Sequence, residues 1–226
     1  MKLILLTLAL VFAPSAFAQV PVDRNPHPLP AEKIPVETVS AAVSVAVQKA
    51  SYPLDKCLFS GEALDDKSVD VVVGGKLVRV CCDKCAAKAK ADAAATVQKI
   101  DDAVIAAQKP GYPLDTCCAT GAKLDDKAVD YVFGTRLVRL ANKDAIAVFQ
   151  KDPKAAMGKL DKAYIAALTK TYRPKTCPIS GEPIGHEGSP VDYLYGTTLV
   201  RFCCNDCLAE FQKTPEKYIA KVRSAK

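Results

Sequence analysis

The sequence predicts an α+β protein built from three tandem small units that are joined by helices. The first observation is that Cys57, Cys117 and Cys177 recur at an interval of 60 residues, each inside a related string that begins with tyrosine. The second is that each string is followed by two short β-rich runs around a glycine-containing turn, and then by helical periodicity. A period this regular indicates one structural unit used three times.

The chain begins with a predicted signal peptide at residues 1–18. Lys2 supplies the positive start, residues 3–13 are apolar, and Ala16-Phe17-Ala18 is an A-x-A cleavage site. The mature chain is therefore expected to start at Gln19 and to be periplasmic or secreted. The apolar run is too short for a membrane span, and no later run approaches ~20 apolar residues.

A proline-rich leader and three repeats are expected to follow the signal peptide. The leader has five prolines in 17 residues, a spacing that blocks both helix and sheet. Apolar residues at spacings of three and four then predict a helix from Val36 to Ala50, which opens the first repeat. The predicted bounds are 19–35 for the leader, 36–107 for the first repeat, 108–168 for the degenerate second repeat and 169–226 for the third.

Each repeat is expected to contain one β-hairpin followed by helix. In the first, the runs 69–73 and 76–80 flank Gly74-Gly75, which is typical of a two-residue hairpin turn. One alanine-rich helix is expected from about Asp83 to Ala107. In the other repeats, a second helix is expected to begin after Asp152 and after Thr214, because proline follows each and is favoured in a first helical turn.

Eight cysteines are the candidate metal ligands. In the first and third repeats, one cysteine lies in a Ser-Gly turn, the knuckle, and three follow where the second strand meets a helix. A helix N-terminus favours thiolate because its unpaired N–H groups carry partial positive charge. The order of knuckle, hairpin and helix start outlines a treble-clef-like unit. The candidates are Cys57, Cys81, Cys82 and Cys85 in the first repeat, and Cys177, Cys203, Cys204 and Cys207 in the third.

The third repeat resembles the YHS and TRASH families of small heavy-metal-binding domains. The matching residues are the pair Cys203 and Cys207, then Phe211, then Pro215 to Tyr218. In the first repeat only the pair Cys81 and Cys85 matches. The resemblance implies binding of zinc, copper or a similar soft metal. Many YHS domains have the knuckle cysteine at the position of Ser180, whereas Cys177 is closer to the TRASH pattern.

The middle repeat lacks most of these thiols and is predicted to be a structural spacer without metal. Alanine or asparagine stands at 141, 142 and 145, where the third repeat has cysteine, and only Cys117 and Cys118 remain. Its fold is expected to persist because the apolar pattern is kept at Val132, Phe133, Leu137, Val138, Ile146 and Phe149.

Disulfide bonding is the main alternative to metal ligation. An exported protein meets an oxidising compartment, and the cysteine counts of four, two and four per repeat allow pairing within each repeat. Four cysteines permit three connectivities, which the sequence does not distinguish. A disulfide-stapled structural or interaction protein without metal, and reversible switching between the two states, therefore both stay open.

Composition argues against two other functional classes. The net charge is +6, but lysine alternates with acidic residues and no basic stripe with interleaved aromatics is present, so no nucleic-acid binding is expected. The chain has two histidines and no parallel-sheet pattern, so no enzymatic activity is expected. The sequence thus predicts an exported protein that binds Zn2+ or Cu+ through thiolates for storage, delivery or sensing, and it does not identify which protein, if any, is its partner.

Overall fold

The computed structural model describes residues 41–186 and 188–224. This part of the chain contains seven α-helices, one short 3-10 helix and three antiparallel hairpins. This mixture of helices and small sheets confirms the predicted α+β class. The predicted signal peptide, the leader and the start of the first predicted helix lie outside the described residues.

The three hairpins are separate two-stranded sheets with the same register. Each pairs five residues with five, and the first matches the predicted strand bounds at both ends. No strand of one hairpin pairs with a strand of another within the described residues. The strands are β1 Val69–Val73, β2 Lys76–Val80, β3 Val129–Phe133, β4 Arg136–Leu140, β5 Val191–Tyr195 and β6 Thr198–Phe202.

Helices follow each hairpin in pairs, and one more precedes the first hairpin. Those after the second and third hairpins divide at Asp152-Pro153 and Thr214-Pro215, as predicted. The helices are α1 Ala41–Ala50, α2 Asp83–Ala91, α3 Ala93–Gln108, α4 Asp144–Lys151, α5 Pro153–Thr169, α6 Asn205–Lys213 and α7 Pro215–Ser224, with the 3-10 turn Lys109–Gly111 after α3.

The prediction of a single helix from Asp83 to Ala107 was wrong, because the helix is interrupted at Asp92 and a second helix begins after it. The Asp92 carboxylate accepts a hydrogen bond from the Ala95 N–H at 3.1 Å and so caps the start of α3. Asp152 caps α5 in the same way through the Ala155 N–H at 2.9 Å. A capping carboxylate satisfies N–H groups that otherwise have no partner, so it starts a new helix even without proline.

A half-buried tyrosine joins each knuckle segment to the second strand of its hairpin. The tyrosine hydroxyl accepts the backbone N–H of the arginine in that strand, at 3.0 Å in the first two repeats and 3.3 Å in the third. The same arginine forms an ion pair with an aspartate directly opposite on the first strand. The three tyrosines are Tyr52, Tyr112 and Tyr172, and the ion pairs are Asp70–Arg79, Asp130–Arg139 and Asp192–Arg201.

Two buried glutamines hold the first and second hairpins at their turns. The Gln48 side chain accepts the Leu77 N–H at 2.7 Å and donates to the Gly75 carbonyl at 3.0 Å. Gln108 accepts the Leu137 N–H at 2.9 Å in the second hairpin. Buried amides need such partners, and the paired groups fix the helix end against the turn. The equivalent residue before the third hairpin is Leu168.

The third hairpin instead packs against the end of the first helix. A Cβ atom at Gly196 would lie only 2.3 Å from the carbonyl oxygen of Ala50, and Gly196 has φ +63°. The Arg223 guanidinium, in the last helix, donates to the same carbonyl at 3.2 Å. Residues near the two ends of the described chain therefore meet at one carbonyl group.

Three apolar cores follow the three repeats, and the first also includes Val132 and Leu137 of the middle hairpin. In the third, Phe202 and Phe211 are fully buried, and Phe211 lies at the centre of four aromatic contacts. In the middle repeat four of the six residues predicted for the core are buried, whereas Ile146 is half-buried and Phe133 is 43% exposed, with its ring in a T-shaped contact with that of Phe149. None of the described helices is both long and apolar enough to cross a membrane.

Replacing Gly196 by alanine is expected to destabilise the protein by about 2–5 kcal/mol. The left-handed backbone alone costs alanine about 1–2 kcal/mol, and the clash with Ala50 adds an overpacking cost of about 1–3 kcal/mol. Gly75→Ala is the matched control, because Gly75 has φ +78° but open space around it. Urea unfolding of both variants measures the difference. Equal destabilisation would contradict the close packing of Gly196 against Ala50.

Candidate metal centres

The knuckle is a tight turn that projects one cysteine from each repeat. In the first repeat the Cys57 N–H donates to the Glu62 carbonyl at 2.8 Å, and the Gly61 N–H donates back to the Cys57 carbonyl at 2.9 Å. Gly61 has φ +75°, which glycine adopts without steric cost. The turn from Cys177 to Glu182 has the same hydrogen bonds, at 2.8 and 2.9 Å.

The hairpin and the following helix bring two more cysteines to the knuckle. Cys81 follows the end of β2, and Cys85 lies in the first turn of α2. Their sulfurs are 3.8 Å apart, and the sulfurs of Cys57, Cys81 and Cys85 all lie within 4.8 Å of one another. This arrangement, which we call the first thiol cluster, confirms the prediction that the three sulfurs converge.

The third repeat builds the equivalent group, the third-repeat thiol cluster, from Cys177, Cys203 and Cys207. The sulfurs again lie within 4.8 Å of one another, and those of Cys203 and Cys207 are 3.6 Å apart. All three of these residues are buried, whereas Cys81 of the first cluster is only half-buried. The third-repeat cluster is therefore the more enclosed of the two.

The sulfur spacing suits one metal ion in each cluster. Two thiolates on a tetrahedral ion with metal–sulfur distances of about 2.3 Å stand about 3.8 Å apart. The Cys81–Cys85 and Cys203–Cys207 sulfur pairs, at 3.8 and 3.6 Å, match that separation. Both clusters could therefore hold a metal ion with little movement of the backbone.

Cys82 and Cys204 lie beside the clusters. The Cys82 sulfur is 3.6 Å from that of Cys81, and the Cys204 sulfur is 3.8 Å from that of Cys203. Neither belongs to the groups whose sulfurs all lie within 4.8 Å of one another. Both are N-cap residues of the following helix, with Cys82 exposed and Cys204 half-buried.

The knuckle thiols are the most acidic members of the two three-sulfur clusters. Burial alone would raise the pKa of Cys57, but hydrogen bonds from the Ser60 hydroxyl and from backbone N–H groups, including that of Cys81, lower the pKa to about 6. Burial acts in the same direction on Cys177, and backbone N–H groups including those of Ser180 and Cys203 outweigh it, giving a pKa of about 7. Both knuckle sulfurs are therefore ready to ligate a cation near neutral pH.

The pKa values of the helix-start thiols, and that of Cys81 at the end of the strand, are raised instead. Burial raises the pKa of Cys85 and the pKa of Cys207 above the ordinary thiol value. A hydrogen bond to the Glu62 carboxylate is the main cause that raises the pKa of Cys81. In each cluster a thiolate thus lies beside protonated thiols, and a metal ion that bound there would displace their protons.

The middle repeat does not assemble such a group. Cys117 and Cys118 are both buried, and within the described residues only the first and third repeats bring three potential ligands together. Burial raises the pKa of Cys118 to about 11, which disfavours its thiolate. The Asn142 Oδ1 instead accepts the Ala145 N–H, in the first turn of the following helix, at 3.0 Å.

Two polar residues near the first cluster were missed by the sequence reasoning, which considered only cysteines. The Ser60 hydroxyl lies 3.2 Å from the Cys81 sulfur, and it also donates to the Glu62 carboxylate at 3.3 Å. Ser180 lies 3.4 Å from the Cys203 sulfur in the third repeat. The available signal was that serine and glutamate occur at the same knuckle positions in the two cysteine-rich repeats.

Comparison of the chain with protein-family models, with curated proteins and with solved structures found no match in any of the three. The resemblance to the YHS and TRASH families therefore stays a prediction from the motif residues.

In reduced, metal-free protein, iodoacetamide is expected to modify Cys82 before Cys57 and Cys85. Cys82 is exposed, and backbone N–H groups at the start of α2, led by that of Cys85, lower its pKa, whereas Cys57 and Cys85 are buried. Peptide mass mapping over time at neutral pH gives the order of modification. The control is the same reaction in urea, where these differences should disappear. Modification of Cys57 as fast as Cys82 in the folded protein would contradict the described burial.

Proposed function

We propose that this protein is an exported soft-metal-binding protein that holds one Zn2+ or Cu+ ion in each thiol cluster, for storage, delivery or sensing. The observation that supports this proposal is that three cysteine sulfurs lie close together in each of two repeats, at separations that suit a single ion. Thiolates are favoured ligands of both metals. The role assigned is binding rather than catalysis.

The architecture proposed for each repeat is a treble-clef-like unit of the YHS or TRASH type. Its support is the order of parts in space, in which a knuckle cysteine, a hairpin and a helix start contribute one ligand position each. The aromatic core of the third repeat gives further support, because Phe211 packs on Tyr218 within the segment that carries the family motif. The middle repeat is proposed to be a metal-free spacer.

The proposed location is the periplasm or the exterior of the cell. It is based on the signal-peptide pattern in residues 1–18. N-terminal sequencing of the mature protein tests it, and a sequence starting at Gln19 is the expected result.

A disulfide-stapled structural protein without metal is the competing hypothesis. Its support is that Cys81 lies within 4 Å of two other sulfurs, those of Cys82 and Cys85, so small movements would allow oxidation. Thiol titration of protein purified without reductant, then stripped of metal and denatured, distinguishes the two hypotheses. Free thiols at both clusters favour ligation, whereas their absence favours disulfides.

Elemental analysis of reduced, reconstituted protein is expected to give two metal ions per chain. Cys207→Ser should lower the ratio to one, because the third-repeat cluster would keep only two sulfurs to offset the dehydration of the ion. Cys117→Ser is the matched control and should leave the ratio at two, because Cys117 belongs to neither cluster. A wild-type ratio near three, or a loss on changing Cys117, would show that the middle repeat also binds metal.

A further inference from the structure

Cys82 is a thiol beside the first thiol cluster that does not belong to its three converging sulfurs. Its sulfur lies 3.6 Å from that of Cys81, yet the group whose sulfurs all lie within 4.8 Å of one another consists of Cys57, Cys81 and Cys85. Cys82 is also exposed, whereas Cys57 and Cys85 are buried. An exposed thiol therefore borders the buried ones.

The fold does not require a cysteine at this position. Cys82 is the N-cap residue of α2. In the middle repeat Asn142 stands at the equivalent position, and its Oδ1 accepts the Ala145 N–H at 3.0 Å. Asparagine is a preferred residue at a helix start, so the stability of the helix does not explain the cysteine.

Cys82 and Cys85 form a Cys-x-x-Cys pair at the start of α2. Cys82 is the N-cap residue, and Cys85 is the third residue of the helix. In an α-helix, Cα atoms three residues apart are separated by about 5 Å, which lies within the range of about 4.4–6.8 Å that disulfides span. The sulfurs of Cys82 and Cys85 also lie 3.6 and 3.8 Å from the same Cys81 sulfur. The backbone of the helix start thus suits a disulfide between the two residues.

Cys81 is a poorer disulfide partner for Cys82, although their sulfurs are 3.6 Å apart. Adjacent Cα atoms are separated by about 3.8 Å across a trans peptide bond, which is shorter than the disulfide range. The middle repeat supports the pairing of the other two positions, because it lacks both, with Asn142 and Ala145 in their place.

We infer that Cys82 and Cys85 are a redox-active dithiol, and that its oxidation to a disulfide releases the ion from the first-repeat site. The inference rests on the proposed metal-binding function and adds a control of that site by disulfide compounds. The thiolate is the form of cysteine that binds metal, so oxidation leaves the cluster with Cys57 and Cys81 alone. Two sulfurs are too few to offset the dehydration of the ion.

The oxidant proposed is a small-molecule disulfide, which reaches the exposed sulfur first. The Cys82 thiolate attacks one sulfur of this compound, forms a mixed disulfide and displaces one small thiolate. The Cys85 thiolate then attacks the Cys82 sulfur, forms the internal disulfide and displaces the second small thiolate. The cysteine pair loses two electrons and the small disulfide gains them, so two thiolates are consumed and two are released.

The third repeat has the same pair in a less accessible form. Cys204 is the N-cap residue of α6 and Cys207 is the third residue of that helix. Cys204 is half-buried, and the three sulfurs of its cluster belong to buried residues. The rate of thiol–disulfide exchange depends on access to the attacking sulfur. The first-repeat ion is therefore expected to be released before the third-repeat ion.

The test uses the full-length chain loaded with Zn2+ and treated with oxidised glutathione. A weak chromogenic chelator measures the released Zn2+, and tandem mass spectrometry maps the disulfides. Cys82→Ser removes the exposed thiol but keeps all three sulfurs of the first cluster, and serine is a favoured N-cap residue. Cys204→Ser is the matched control, because it makes the same change at the equivalent position of the third repeat.

The wild-type chain and Cys204→Ser are each expected to lose one ion first, in step with a disulfide that joins Cys82 to Cys85. Reduction of this disulfide should restore binding. Cys82→Ser is expected to bind two ions before oxidation, and to keep both over the time in which the wild-type chain loses one.

Four results would overturn the inference. The first is release of one ion from Cys82→Ser at the wild-type rate. The second is release with a disulfide between Cys81 and either neighbour in place of the Cys82–Cys85 bond. The third is binding of only one ion by Cys82→Ser before oxidation, which would make Cys82 a ligand. The fourth is a wild-type chain that keeps both ions in oxidised glutathione, which leaves the proposed function intact. A wild-type chain that binds no metal would refute the proposed function together with the inference.

Discussion

The rest of each repeat is arranged around its knuckle sulfur, which backbone N–H groups from two segments of the repeat stabilise. In every repeat the buried knuckle thiol accepts the N–H of the residue that follows the second strand, together with N–H groups of its own turn. This contact ties the turn to the hairpin, so whichever side chain follows the strand is placed next to the knuckle sulfur. The pairs are Cys57 with the N–H of Cys81, Cys117 with that of Ala141, and Cys177 with that of Cys203.

This constraint explains why the middle repeat has a cysteine at the knuckle although it lacks the cysteines that follow the second strand in the other repeats. Cys117 is buried, and its sulfur accepts N–H groups of Thr120, Ala141 and Ala119. Removing the acceptor would take a partner from these backbone N–H groups, and each lost hydrogen bond is worth about 0.5–1.5 kcal/mol. The knuckle cysteine thus has a structural role in all three repeats, and the thiols that follow the strand are required only where a cluster forms. Comparing the repeats within one chain separates the two roles.

The hairpins and the convergence of the sulfurs could be predicted from sequence, because both depend on local signals. Glycine turns fixed the strand bounds, and the order of knuckle, strand and helix brought the cysteines together. The helix break at Asp92 was missed because the alanine-rich run has high helix propensity and only a capping carboxylate marks the break. The contact of Ser60 with Cys81 and the position of the Cys82 sulfur outside the cluster depend on side-chain directions, which spacing alone does not specify. The exposure of Phe133 likewise depends on which face of a five-residue strand is covered.

The hydrogen bond from Arg223 to the Ala50 carbonyl has a consequence for the order of folding. It joins residues 173 positions apart, whereas the glutamine contacts of the first two hairpins each join residues 29 positions apart. Contacts of long sequence separation form late, because loop closure must be paid for first. When the chain folds from its N-terminal side, the first two hairpins can dock on helices that have already formed. The third completes its packing only when the last helix reaches the first. Proteolytic loss of that last helix would therefore expose the Ala50 carbonyl at the end of the first helix.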